Sequence, residues 1–255
     1  MPETLAALFL AHVLADYVFQ TRWMVEEKAR PETLFLHALI VLLTAMATTG
    51  QVASPMIYAL ALIHIVIDTI KTRFFSDTFL PHITDQALHL ATLILIALIA
   101  PDLFAQGPYA TLPWLPKAML FTAGAIYATR AGGFAVGKLM APFAQKLTEN
   151  SEENESKDDT PTLEGAGALI GILERGLTYL LMLSGLSASI GFLVAAKSIL
   201  RFEAIREGGP DKSRKMSEYV IIGTLASFGW AIAVTLAVMF IAAQMPKLGI
   251  SPAAH

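Results

Sequence analysis

His12-Val-Leu-Ala-Asp16 and His64-Ile-Val-Ile-Asp68 are one pattern written twice, 52 residues apart, each inside an apolar segment. The same offset carries His37 onto His89. Just beyond the last of these, Leu90-Ala-Thr-Leu-Ile-Leu-Ile-Ala-Leu-Ile-Ala100 is apolar on every face. A surface helix of a soluble protein would keep a polar side. An ionisable side chain inside a hydrocarbon-length run is expensive, and it marks a functional position by default. These stretches predict an all-α, polytopic membrane protein with a polar site inside its membrane helices.

Working outward, the composition agrees. Hydrophobic residues make up 55% of the 255 and charged ones 15%, against about 25% charged in average soluble domains. The apolar residues fall in blocks at 3–20, 34–48, 55–73, 83–100, 117–143, 165–185, 187–203 and 217–244. Several approach the roughly 20 residues a helix needs to cross a bilayer, so about eight transmembrane helices are expected. The first block lacks the basic start of a secretory signal and holds His12 and Asp16 within its apolar run, so it reads as a helix of the protein. With no cysteine, disulfides and thiolate metal sites are excluded. The net charge of −3 carries no argument, and nothing supports nucleic-acid binding.

Lysine and arginine gather in alternate loops. Arg22, Lys28 and Arg30 follow the first block, and Lys71 and Arg73 close the third. Lys138, Lys146 and Lys157 lie at or after the end of the fifth, and Arg201, Arg206, Lys212, Arg214 and Lys215 fill the seventh connection. The loops between hold only Lys117. By the positive-inside rule, the odd-numbered connections face the cytoplasm and both termini lie outside. Residues 147–160 form an acidic polar run without apolar anchors, the composition of a disordered tether. The expected organisation is a five-helix part (1–143) carrying a tandem two-helix repeat (1–52 and 53–104), a linker (144–163) and a three-helix part (164–255).

This orientation brings the charged positions into one layer. At about 1.5 Å per residue, His12 lies roughly 12 Å above the cytoplasmic end of its helix and Asp16 roughly 6 Å, with His64 and Asp68 nearly the same. His37, Asp85 and His89 fall roughly 5–10 Å inside theirs. Residues i and i+4 share a helix face, so each His-x-x-x-Asp pair offers an imidazole and a carboxylate to the same ion. Asp85 and His89 repeat the spacing in reverse. The candidate ligands are His12, Asp16, His37, His64, Asp68, Asp85 and His89, with Asp16, Asp68 or Asp85 available as a catalytic base. Four imidazoles and three carboxylates exceed one tetrahedral site and would suit two ions sharing a carboxylate. Such donors fit zinc first, and di-iron or manganese as well. Gln20 and Gln86 are placed to orient the ligands. The rival readings are polar glue between helices, bis-histidine haem ligation, which leaves the aspartates without a purpose, and a proton or ion relay. His82, beside Pro81, reads as a loop residue, and His255 as an uninformative terminus.

The last three blocks carry a second charged layer. Glu174 is deep enough to need a partner, and Lys197 or Arg201 could supply it. The three form either an internal ion-pair network or a surface for an anion such as a lipid phosphate, which guanidinium matches in shape. Basic residues nearer helix ends snorkel to the interface.

Several motifs together resemble an uncharacterised family of multi-pass bacterial inner-membrane proteins, known only as a domain of unknown function. They are His12-x-x-x-Asp16-Tyr-x-x-Gln20, His37, His64-x-x-x-Asp68, Asp85-Gln86-x-x-His89, Leu173-Glu174-Arg175, Gly191-Phe192, Ala195-Ala196-Lys197-Ser198 with Arg201-Phe202, and Glu218-Tyr219 with Gly223-Thr224. The resemblance implies a bacterial inner-membrane location and no particular activity. From the residues themselves, the leading expectation is a membrane metal-dependent hydrolase acting on a lipid or an anionic, lipid-linked substrate. The alternatives are a transporter or ion-translocating protein using the same cluster, and a structural partner in a membrane complex.

Overall fold

The computed structural model describes residues 1–152, 165–206 and 210–246, and the described residues are helical and loop throughout. The helices are α1 (Pro2–Leu14), α2 (Arg22–Glu26), α3 (Pro31–Thr49), α4 (Pro55–Phe74), α5 (Phe79–Ile99), α6 (Leu115–Ile126), α7 (Gly132–Glu152), α8 (Ala166–Leu183), α9 (Ser189–Arg206) and α10 (Pro210–Ala243). Two π-helical turns interrupt this order. One continues α1 over Ala15–Phe19, and the other joins α6 to α7 over Tyr127–Ala131. The chain groups into two units, Met1–Tyr127 with the chain from Ala237 onward, and Ala128–Leu236.

In the first unit α1 packs against α3, α5 and α6, α3 against α4, and α4 against α5. Ala6, Ala7 and Ala11 of α1, continued by Ala15 of its π turn, make a buried face of small side chains, which lets neighbouring helices approach closely. Leu8, Ala45, Ile57, Leu60, Leu93, Ile96 and Leu103 fill the apolar part of the core. Proline opens α1, α3 and α4 within the first turn, where its missing N–H has no partner to lose. Gly50 ends α3 at φ 70°, and a Cβ there would lie 2.5 Å from Pro108 Cδ, so both backbone and space require glycine. Thr4 Oγ1 donates to the Pro101 carbonyl at 2.8 Å and accepts from Phe104 N at 3.2 Å, pinning the 101–114 loop to the start of α1.

Polarity runs opposite to that of a soluble domain. Phe35, Leu62 and Leu98 are 58–69% exposed, while His12, His37, His64 and His89 are each 2% exposed. An apolar exterior around a polar interior is the arrangement that lipid favours. Among the described residues six helical segments are long and apolar enough to cross a membrane: Pro2–Phe19, Pro31–Thr49, Pro55–Phe74, Phe79–Ile99, Ala166–Leu183 and Arg214–Ala243. The expected fifth block is divided between α6 and α7 by its π turn, and the seventh has a described apolar stretch of only Ser189–Ile199.

α5 begins at Phe79, ahead of the expected 83, because a proline in the first turn does not delay a helix. His82 is therefore a buried helical residue and not a loop residue. α7 extends to Glu152, into the acidic run, whose remaining residues lie outside those described, as does His255.

Candidate metal centre

The four helices expected to carry the candidate ligands bring those side chains together. α1 supplies His12 and its π turn Asp16, α3 supplies His37, α4 supplies His64 and Asp68, and α5 supplies Asp85 and His89. The 52-residue offset thus relates α1 to α4 and α3 to α5. The wider π turn falls at Asp16, and such turns are frequent at functional sites. It ends at Gln20, where the backbone becomes extended.

At the centre, Nε2 of His37 and Nε2 of His64 face each other at 3.1 Å. His37 Nε2 lies 3.5 Å from Asp16 Oδ1 and 3.4 Å from Asp68 Oδ2. His64 Nε2 lies 3.5 Å from Asp16 Oδ1 and 3.7 Å from Asp68 Oδ2. These separations are long for charge-assisted hydrogen bonds, which cluster near 2.7–2.9 Å. They match donors arranged about one ion: with bonds of about 2.0–2.1 Å, tetrahedral ligand atoms sit roughly 3.3 Å apart. Three overlapping groups could hold metal: His12, Asp16 and His64; His37, His64 and Asp68; and Asp68, Asp85 and His89. Within each, the ligand atoms all lie within 4.8 Å of one another. His64 and Asp68 each belong to two groups. The imidazoles pack around His64, whose ring centroid is 4.0 Å from His89, 5.1 Å from His37 and 5.9 Å from His12.

The pattern of unmet hydrogen bonding is more telling than proximity. Among the described residues, eight buried side-chain nitrogen or oxygen atoms lack a partner: both ring nitrogens of His12, Asp16 Oδ1, His37 Nδ1, Asp68 Oδ2, Asp85 Oδ1, His89 Nε2 and Gln20 Nε2. Seven of the eight are on candidate ligands. Buried polar groups are nearly always paired, so such a concentration of unpaired nitrogen and oxygen atoms is consistent with a divalent metal held among them.

Two of the three carboxylates, Asp68 and Asp85, are also held so that one oxygen is left over. Lys28 Nζ donates to Asp68 Oδ1 at 2.8 Å, leaving Oδ2 toward the histidines. Lys71 Nζ and Gln86 Nε2 donate to Asp85 Oδ2 at 3.3 and 3.2 Å, leaving Oδ1. Tyr17 O–H donates in turn to Gln86 Oε1 at 2.7 Å. His89 Nδ1 lies 2.9 Å from the Asp85 carbonyl, which assigns its proton to Nδ1 and its lone pair to Nε2. Outer groups that fix ligand orientation in this way are usual around metals. Burial would lower the Lys28 ammonium, but the Asp68 carboxylate, with those of Asp16 and Asp85 behind it, outweighs burial and raises it above the ordinary lysine value.

The sequence reading misses Lys28, Lys71 and Tyr17 as parts of the centre, treating the lysines as orientation signals. A usable clue was present for Lys71, which follows Asp68 by one helical turn. Gln86 donates to Asp85, and among the described residues Gln20 has no partner for its Nε2. In the second unit Lys197 Nζ lies 2.6 Å from Glu174 Oε2, so lysine supplies the partner Glu174 needs. Arg201 lies in α9, and its side chain falls outside the described residues.

No curated protein and no solved structure matches the chain. Residues 4–113, the segment that contains all seven candidate ligands with Lys28 and Lys71, match a family described as protein of unknown function (DUF3307).

Proposed function

We propose that this is a bacterial inner-membrane metalloenzyme whose His/Asp centre holds one or two divalent transition-metal ions, zinc foremost and di-iron or manganese next. Its proposed reaction is hydrolysis of a lipid or lipid-linked substrate near the cytoplasmic face. The observation that carries this reading is the set of seven unpartnered, buried donor atoms on convergent ligands. His37, His64, Asp16 and Asp68 would form the first site. His12, Asp85 and His89 would form the second, sharing His64 and Asp68 with it. A bound ion would supply Lewis acidity and an activated water. With one ion in the first site, Asp85 is the candidate general base, because it stands outside that quartet and Lys71 and Gln86 fix its orientation. Lys28 and Lys71 offset the negative charge that three carboxylates would otherwise concentrate. The alternating distribution of lysine and arginine supports both termini lying outside, and the hydropathy blocks support eight crossings, with α6–α7 and α9 completing the six clearest.

A relay is favoured by one observation. Tyr17, Gln86, Asp85 and Lys71 form a continuous hydrogen-bonded chain to a lysine that is 19% exposed. The two readings separate experimentally. Chelator-washed protein is assayed for bound metal, then for hydrolysis of lipid substrates and for ion flux in proteoliposomes. Tightly held metal with metal-dependent hydrolysis supports the enzyme. Flux without hydrolysis supports the relay, and absence of metal from well-folded protein rejects the metal centre.

A further inference from the structure

The second unit contains a charged layer that the metal centre does not use. Lys197 Nζ sits 2.6 Å from Glu174 Oε2 and 5.8 Å from the Phe228 ring centroid, so the Glu174 carboxylate is already taken. The next residue, Arg175, is 5% exposed and lies in the middle of the Ala166–Leu183 span. Its Nε donates to the Thr129 carbonyl at 3.0 Å and its Nη1 to Ser227 Oγ at 3.2 Å. Both acceptors are neutral, and among the described residues no carboxylate forms an ion pair with it. A guanidinium has five N–H donors and keeps its charge in proteins. Two donors are used here, and three remain. Lys197, Glu174 and Arg175 together therefore leave one positive charge inside a membrane-spanning unit.

Glycines of α7 and α8 border that charge, and the Trp230 indole lies beside its stem at Gly132. A Cβ added to Gly171 would lie 3.0 Å from Nη1, one on Gly133 3.1 Å from Nη2, and one on Gly132 3.0 Å from Cδ. Glycine at positions 133 and 171 thus puts no side chain between these two helices and Nη1 or Nη2. A purely structural clamp needs only the bonds to Thr129 and Ser227, which a neutral donor could make without burying a charge.

We propose that Arg175 is the core of an oxyanion site for phosphate chemistry, carried by an anionic lipid headgroup or as free inorganic phosphate. Nη1 and Nη2 donate to the phosphate oxygens, and the anion neutralises the layer. Guanidinium geometry matches phosphate oxygens, and the bond is strong where water is scarce. The site stands independently of the metal reading, because every residue in it belongs to the second unit.

The test uses the full chain in phosphatidylcholine nanodiscs, titrated with phosphatidylglycerol or with inorganic phosphate. Bound lipid is read by native mass spectrometry and phosphate by calorimetry. Wild type should hold one anion per chain, Arg175→Gln should bind at least tenfold more weakly, and Ser227→Ala, which frees a fourth N–H, should retain binding. Retention of phosphatidylglycerol alone assigns the lipid, and binding of phosphate assigns the free anion. Unchanged metal content and helicity in Arg175→Gln show that the chain is folded. If that variant does not fold, folded Gly171→Ala decides, since its added methyl crowds Nη1 and leaves the charge. Equal binding in either folded variant, or folded wild type that holds neither anion, overturns the proposal.

Discussion

A carboxylate buried beside histidines can be glue, relay or ligand, and the difference lies in where its second oxygen goes. In Asp68 and Asp85 one oxygen is held by lysine and the other is left without a partner. That asymmetry argues for ligands, and it makes the residues unequal in a measurable way. His64 and Asp68 serve two of the three donor groups, so His64→Ala and Asp68→Ala should each reduce bound metal to near zero by elemental analysis. His12→Ala should retain a larger fraction, because the quartet of His37, His64, Asp16 and Asp68 survives it. Gln86→Leu removes an orienting donor from Asp85 and should weaken metal affinity by roughly 10–100-fold, read by competition with a chelating dye. The candidate ligands were legible because i,i+4 spacing and burial expense are properties of the chain itself. Lys28 was not, because its contact with Asp68 spans 40 residues and arises only when a loop folds back.

At the scale of the elements, most helix positions could be read from hydropathy, and the discrepancies have local causes. The fifth block looks continuous in sequence, yet a π turn at Tyr127–Ala131 divides it, and hydropathy does not register a change in hydrogen-bond period. The first π turn sits under Asp16, where spacing alone predicts an unbroken helix running through to Gln20. The sequence reads His82 as a loop residue because Pro81 suggests a boundary, whereas Pro81 lies inside the first turn of α5. Gly50 gives this scale its clearest test. Gly50→Ala combines a positive φ with a Cβ 2.5 Å from Pro108 Cδ, and should destabilise the first unit by about 2 kcal/mol. Thermal denaturation in detergent would report it, with the protein that remains folded still binding metal normally.

For the molecule as a whole, the polar interior ties ligand binding to stability. An ion that binds the folded centre at about 1,000 times its dissociation constant adds roughly 4 kcal/mol. Chelator treatment should therefore lower the melting temperature while leaving the helix content near that of the metal-bound protein at low temperature, as followed by circular dichroism. The membrane class was plain from composition, whereas the number of crossings was not, since it depends on how interrupted helices are joined. The inverted polarity also bears on how the chain is made. His12 and Asp16 emerge from the ribosome 77 and 73 residues before His89, a wait of roughly 4–15 s at ordinary synthesis rates. Through that interval the first hydrophobic segment carries a carboxylate and an imidazole without the full set of later helices beside them. Its entry into the bilayer is thus coupled to the arrival of the second hairpin, which makes the insertion machinery, rather than the finished fold, the first environment to shelter these groups.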